Sequence, residues 1–148
     1  MTETSPIGRE TLTSAAQRLQ ASLAAVVPGQ ASAISGLLTG YLAGGHVLLE
    51  GVPGIGKTLL ARALATGLGL AFARVQFTPD LMPADVIGAN VFDPKSGSFR
   101  LVKGPLFTEL LMADEINRTP PKTQAALLEA MQEQSCTVRG NHYKLPAP

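Results

Sequence analysis

The sequence predicts an α/β fold in which helices pack on a parallel sheet built around a phosphate-binding loop. A glycine-rich loop of the form Gly-x-x-x-x-Gly-Lys-Thr lies between a strand-like and a helix-like run. A short apolar run, Leu110–Ala113, ends in the acids Asp114 and Glu115, a pattern typical of a buried parallel strand. Two further stretches, Val86–Val102 and Cys136–Leu145, have the turn chemistry of β-hairpins.

Composition excludes several classes of protein. The chain has 148 residues, about one domain, of which 45% are hydrophobic and 16% charged, as in a globular protein with a sizeable core. The formal net charge is +1 without a basic cluster, so we expect no nucleic-acid partner. Apolar runs are too short to span a bilayer and Met1–Glu10 lacks a signal-peptide core, so we expect no membrane insertion and a cytoplasmic location. The single cysteine, Cys136, is expected to be an inert thiol.

Two amphipathic helices are predicted before the glycine-rich loop. Apolar residues recur at helical spacing from Thr11 to Val26 and again from Ala31 to Leu42. Val26–Gln30 separates the two helices. Gly44-Gly45 ends the second helix and turns the chain into a strand predicted over His46–Glu50.

The glycine-rich loop carries the strongest functional signal. Its glycines let the backbone approach a polyphosphate, and the helix predicted from Leu59 to Leu68 adds its N-terminal dipole. Lys57 supplies a positive charge for the outer phosphates, and the Thr58 hydroxyl can ligate Mg²⁺. The alternative is a glycine-rich turn that binds nothing, which the strand–loop–helix context disfavours. The loop consists of Gly51, Val52, Pro53, Gly54, Ile55, Gly56, Lys57 and Thr58.

A strand and an inserted hairpin are predicted between the loop and the acidic pair. Phe72–Phe77 alternates as a strand does, and a proline-containing turn stops it. Further on, the strand-like runs Val86–Phe92 and Ser98–Val102 flank a turn at Asp93–Gly97.

A helix and a second hairpin are predicted after the acidic pair. Thr119 is expected to cap a helix that begins at Pro120 and runs to about Gln134. Its buried face is expected to consist of Ala125, Leu128 and Met131. A two-residue turn, Gly140-Asn141, is expected to join the final two strands.

The acidic pair has the chemistry of metal-assisted hydrolysis. Asp114 at a strand end can orient Mg²⁺ and its waters, and Glu115 can act as the base that positions an attacking water. Such a pair favours water as the acceptor over a small-molecule phosphotransferase reaction. Two acids that merely cap or solvate a turn are the alternative, which a phosphate loop upstream disfavours.

From about Val26 to Pro148 the chain resembles the MoxR family of AAA+ ATPases. The family's core is a P-loop domain of three α/β/α layers with a parallel sheet. The runs that carry the resemblance, besides the phosphate loop itself, are Gly44–Gly54, Gln76–Leu81, Asp114–Arg118, Pro120–Gln124 and Leu127–Glu133.

The resemblance implies ATP and Mg²⁺ as cofactors and assigns roles to residues. Gly51–Thr58 would be Walker A, with Thr58 and Asp114 serving the metal and Glu115 as the catalytic residue. The adenine would lie against Val27, Gly29 and Gln30. Gln76 would restrain the catalytic glutamate, or is simply a polar residue at a strand end. Asn117 and Arg118 would serve the site or a neighbouring subunit, or shape the turn.

The resemblance also implies an assembly. Similar proteins form ATP-driven homo-oligomeric rings, usually hexamers, and act as chaperone-like remodellers of protein clients. They often act beside proteins with a von Willebrand factor A domain and help to mature metalloenzymes or complexes. Both predicted hairpins would face the ring's pore or a client.

The chain differs from the family pattern in its extent. It stops before the sensor 1 strand, the arginine finger and the lid, so we expect a truncated product or a fragment of a longer gene. Residues 1–25 are then expected to be an N-terminal helix and residues 26–148 an incomplete AAA+ core. Two functions remain open: an ATP-hydrolysing remodeller, and a nucleotide-binding module without turnover. A phosphotransferase is disfavoured.

Overall fold

The computed structural model describes residues 9–147 with the exception of Pro53. Two predictions therefore concern residues outside the described ones. They are the absence of a signal-peptide core, as far as it concerns residues 1–8, and the role of Pro53 in the phosphate loop. The chain divides into two compact units, residues 1–69 and 70–148, and each is described by itself.

The described residues of the first unit form three helices, α1 (Arg9–Val26), α2 (Ala31–Leu42) and α3 (Lys57–Leu68). The helices α1 and α2 form where apolar periodicity predicts them. Helix α1 passes close to α3 at Gly67, where an added Cβ would lie 2.5 Å from the Leu19 side chain. The buried apolar residues of this unit are Leu23, Val27, Ile34, Leu37, Leu38, Leu60, Ala61, Leu64 and Ala65.

The segment before the phosphate loop is not a strand, so the prediction for His46–Glu50 is wrong in this structure. Residues 45–52 have no regular secondary structure, and Leu48 is 72% exposed. The Val47 side chain lies instead against α2 at Gly40, where an added Cβ would come within 2.3 Å of it. A strand exists only through hydrogen bonds to a neighbouring strand. None of the described residues pairs with this segment in a sheet.

The second unit contains a parallel pair of strands, β1 (Phe72–Gln76) and β4 (Leu110–Asp114). In their register Phe72 lies opposite Leu110 and Gln76 opposite Asp114. One core cluster packs around them: its buried members are Val75, Phe77, Val86, Ile87, Leu106, Leu127, Ala130 and Cys136. Helices and a parallel sheet confirm the predicted α/β class.

A short helix, α4 (Pro83–Ile87), precedes the inserted hairpin β2 (Gly88–Asp93) and β3 (Ser98–Lys103). The prediction that Val86 and Ile87 begin the strand is therefore wrong. Both side chains are buried in the core as the end of α4, which a strand's alternation would not allow. Gly88 makes the change of direction, with φ at +98° and an added Cβ only 2.1 Å from the Val102 carbonyl oxygen.

The long helix α5 (Pro121–Glu133) begins one residue later than predicted, with Pro120 at its N-cap. Thr119 is not the cap, because its hydroxyl donates to the Ile116 carbonyl at 2.6 Å in a 3₁₀ turn, Ile116–Arg118. The predicted buried face is also wrong. The side chains on the core side are Thr123, Leu127 and Ala130, whereas Ala125, Leu128 and Met131 are exposed.

Both faces of α5 have helical spacing, so periodicity could not choose between them. The face that is used contains a polar residue, Thr123, which is 1% exposed. Its hydroxyl donates to the Leu81 carbonyl at 2.8 Å, so it is buried with its hydrogen bond made.

The second hairpin pairs β5 (Ser135–Val138) with β6 (Asn141–Lys144). The turn is Arg139-Gly140 instead of the expected Gly140-Asn141, since these two residues have φ of 49° and 80°. A two-residue turn with positive φ at both positions matches the twist of a hairpin, and glycine takes the second position easily. On β5, Cys136 is fully buried, and burial together with the nearby Glu129 carboxylate raises the pKa of its thiol.

None of the helices among the described residues is long and apolar enough to cross a membrane.

Replacing Thr123 by valine is expected to lower the free energy of unfolding by about 1–2 kcal/mol, because the hydrogen bond that the buried Thr123 hydroxyl donates to the Leu81 carbonyl is lost. Denaturant unfolding monitored by circular dichroism measures the change. Thr39→Val is the matched control, since the Thr39 hydroxyl makes a similar bond to the Ser35 carbonyl at 2.8 Å on an exposed helix surface. Equal destabilisation by both substitutions would contradict the role given to burial.

Candidate nucleotide site

The phosphate-loop part of the candidate site lies in the first unit. Gly54 and Gly56 have φ of 84° and 90°, a region that favours glycine, and so bend the backbone into a tight loop. Gly56 is the N-cap of α3, a helix of 12 residues. Because α3 starts at Lys57, two residues earlier than predicted, Lys57 and Thr58 both lie in its first turn. The free N–H groups and the positive end of the helix dipole are therefore at the loop.

The Lys57 ammonium group is folded onto its own loop. Its Nζ donates a hydrogen bond to the Gly51 carbonyl oxygen at 2.6 Å. This contact places the positive charge against the first residue of the loop, where a phosphate oxygen could replace the carbonyl as acceptor. Thr58 is half-buried beside it.

The predicted adenine contacts lie at the junction of α1 and α2 in the same unit. Val27 is 6% exposed, and its Cγ1 lies 3.3 Å from the position that a Cβ on Gly56 would take. Gly29 turns the chain with φ at 80°, and Gln30 is the N-cap of α2. The structure thus brings Val27 against the phosphate loop, whereas Gly29 and Gln30 shape the link between the helices.

The acidic part of the candidate site lies in the second unit, at the carboxyl end of β4. Asp114 is the last residue of the strand, and its carbonyl accepts a hydrogen bond from the Phe77 N–H at 2.8 Å. Glu115 follows with φ at 58°, a conformation that is sparsely populated by residues other than glycine. This conformation turns the chain off the strand into the 3₁₀ turn. The Glu115 carboxylate forms an ion pair with Arg118, at 3.1 Å from Oε2 to Nε.

The Asp114 carboxylate is bound by an arginine that sequence reasoning missed. Both Nε and Nη2 of Arg74 donate to Asp114 Oδ2, and Nη2 also donates to the Gln76 amide oxygen at 3.1 Å. Gln76 is therefore bonded to Arg74, while Glu115 is paired with Arg118. The sequence contained a signal for the contact between Arg74 and Gln76, since two residues that are two apart in a strand lie on the same face of the sheet.

The predicted metal ligands fit Mg²⁺ by their donor chemistry. A carboxylate and a hydroxyl are hard oxygen donors of the kind that Mg²⁺ prefers. Asp114 keeps 21% of its side chain exposed, and Arg74 engages only one of its two oxygens, so the other can still accept a metal-bound water.

Comparisons with known proteins give the family to which the chain is similar. The family described as "ATPase family associated with various cellular activities (AAA)" matches residues 46–148. The uncharacterized protein YeaC of Bacillus subtilis is 54% identical over 111 residues, which are 75% of this chain and 35% of that protein. Chaperone MoxR1 of Mycobacterium tuberculosis is 42% identical over 99% of this chain and 40% of its own length.

A solved structure is similar over most of the chain. The crystal structure of a Cytophaga hutchinsonii protein assigned as an ATPase superposes with a TM-score of 0.74 and 42% identity, over 94% of this chain and 44% of that one. The chain thus spans less than half the length of each of these proteins.

Proposed function

The chain belongs to the MoxR family of AAA+ ATPases, and we propose that it binds ATP with Mg²⁺ and hydrolyses it to remodel protein complexes. One observation carries the proposal. Lys57 and Thr58 occupy the first turn of α3, directly behind a loop bent by Gly54 and Gly56. This geometry combines the free N–H groups of a helix N-terminus, a helix dipole and an ammonium group at the loop, the combination that binds a nucleotide's phosphates.

Each residue that the sequence predicts for the site has a part in binding or hydrolysis. The backbone of Gly51–Thr58, including Val52, Pro53 and Ile55, surrounds the phosphates, and Lys57 neutralises their outer charge. Thr58 and Asp114 would hold Mg²⁺, which would supply positive charge to the phosphates. Glu115 would orient the water that attacks the γ-phosphorus and would accept its proton, while the bond from the γ-phosphorus to the β–γ bridging oxygen breaks and ADP leaves.

The proposal extends to the adenine and to the organisation of the chain. Val27, Gly29 and Gln30 line the adenine side, of which the contact between Val27 and the loop is the best supported. We assign residues 1–25 to an N-terminal segment, which is helical from Arg9 onward among the described residues, and residues 26–148 to part of an AAA+ core.

The assembly and partners are proposed from the family. The printed name of the similar protein, Chaperone MoxR1, supports a chaperone-like role on protein clients. The hexameric ring is proposed from the resemblance to the family alone. We also propose, from the family, that the partner is a protein with a von Willebrand factor A domain. The remodelling would then serve the maturation of metalloenzymes.

Phosphate release separates the proposed hydrolase from a nucleotide-binding module without turnover. The protein as its gene encodes it is incubated with ATP and Mg²⁺, and inorganic phosphate is followed over time. We expect steady release that stops when the metal is chelated, because Mg²⁺ neutralises the transferring phosphate. Saturable binding of ATP without any release of phosphate would overturn hydrolysis and support the binding module.

A further inference from the structure

The ion pair between Arg74 and Asp114 is the strongest feature that the proposed function leaves unexplained. Two nitrogens of one guanidinium group donate to a single oxygen, Asp114 Oδ2, across the parallel pair β1–β4. The third contact of the group, to the Gln76 amide oxygen at 3.1 Å, fixes its orientation. Three hydrogen bonds hold the planar guanidinium group in one orientation, whereas the side chains of most surface ion pairs sample several orientations.

The sheet register explains why these three side chains meet. Gln76 lies directly opposite Asp114, and Arg74 lies two residues before Gln76 on the same strand. Side chains two apart in a strand share a face, and directly opposite residues of a parallel pair do so too. Arg74 is thus aimed along the sheet surface at the strand end where the predicted Walker B aspartate lies.

The charges at this strand end cancel. Arg74 neutralises Asp114 and Arg118 neutralises Glu115, so each acid of the pair has its own arginine. The Arg74–Asp114 pair is the less exposed of the two: its side chains are 43% and 21% exposed, whereas those of Arg118 and Glu115 are 59% and 41% exposed. A divalent cation that approaches Asp114 therefore meets a neutralised carboxylate and a fixed positive charge next to it.

We propose that Arg74 is a positioning residue that competes with Mg²⁺ for Asp114 and so sets the metal concentration at which the nucleotide complex forms. The inference rests on the proposed function, because it takes Asp114 as a ligand of the metal or of its waters. The guanidinium group holds the carboxylate in one orientation, and Mg²⁺ has to share that carboxylate with it. Gln76 supports the arginine from the side and does not bind the metal.

The test measures the Mg²⁺ dependence of nucleotide binding, not turnover. Binding of a fluorescent ATP analogue to the protein as its gene encodes it is titrated with Mg²⁺. Arg74→Gln is expected to lower the half-saturating Mg²⁺ concentration by about 3- to 10-fold, since the Asp114 carboxylate is released from its ion pair and Mg²⁺ no longer shares it, in a partly exposed site. Arg74→Lys keeps the charge but lacks the fork, and is expected to give a smaller shift in the same direction.

Repeating the titration in an Asp114→Asn variant tests whether the effect of Arg74 depends on the Asp114 carboxylate. In Asp114→Asn the carboxylate is gone, so adding Arg74→Gln is expected to change the half-saturating Mg²⁺ concentration by less than about 2-fold. Arg100→Gln, an exposed arginine of β3, is the matched control and is expected to leave the curve unchanged. A merely structural role for Arg74 would weaken binding equally at all Mg²⁺ concentrations and lower the melting temperature.

The outcomes are distinguishable. An unshifted curve in both Arg74→Gln and Arg74→Lys, or a shift to higher Mg²⁺, overturns the competition while the proposed function stands. Failure of the unmodified protein to bind the analogue at any Mg²⁺ concentration overturns the proposed function and the competition together. If Arg74→Gln does not fold, the Arg74→Lys curve decides by the same criteria.

Discussion

Replacing Lys57 by alanine is expected to weaken ATP binding by roughly 100-fold, which removes measurable binding at ordinary protein concentrations. The Lys57 ammonium lies within its own loop, 2.6 Å from the Gly51 carbonyl, where it can turn to the outer phosphates. Charge-assisted hydrogen bonds are each worth about 1.5–3 kcal/mol, and a factor of 100 in Kd corresponds to about 2.8 kcal/mol. Titration calorimetry with ATP and Mg²⁺ measures the loss.

The control for this prediction is Lys122→Ala, which removes an exposed lysine from the first turn of α5. It changes the net charge equally and is expected to leave Kd within about 2-fold of the unmodified protein. Unchanged binding in Lys57→Ala would mean that nucleotide phosphates do not bind at this loop.

Replacing Glu115 by glutamine is expected to preserve ATP binding and to reduce phosphate release by about 10²- to 10⁴-fold. Glutamine has the size of glutamate but cannot accept the proton of the attacking water, and general-base catalysis contributes an effect of this order. Residue 115 has a backbone φ of 58°, and the glutamine side chain has the same length as that of glutamate. We therefore expect the turn after β4 to be retained. Single-turnover phosphate release, compared with equilibrium binding of ATP, separates the two effects.

The matched variant is Glu133→Gln, which neutralises an exposed acid at the end of α5. Its phosphate release is expected to equal that of the unmodified protein. If Glu115→Gln turned over at the normal rate, Glu115 would not be the base, and the remaining acid, Asp114, would become the candidate.

Local sequence patterns predicted most of the elements of this fold. Helix α2 has its predicted bounds, Ala31–Leu42, because an apolar stripe and a glycine stop are both local signals. The β4 strand and both hairpins also lie where apolar runs and turn residues indicate them. The errors at Arg139-Gly140 and Pro120 are shifts of one residue, which propensities do not resolve.

Larger errors arose where the outcome depends on a distant partner. His46–Glu50 has the composition of a strand but pairs with no strand among the described residues. Helix α5 has two apolar faces, and the Leu81 carbonyl, far away in sequence, selects the face that contains Thr123. Arg74 was missed for the same reason, since its partner Asp114 is 40 residues away along the chain.

The sequence by itself determined the family, the α/β class and the identity of the residues proposed for the site, because motif chemistry and periodicity are properties of neighbouring residues. Only the tertiary structure decided which face of α5 is buried, which residues contact Asp114 and how Lys57 lies within its loop. Those features depend on strand register and on helix packing, which bring together residues that the chain keeps far apart.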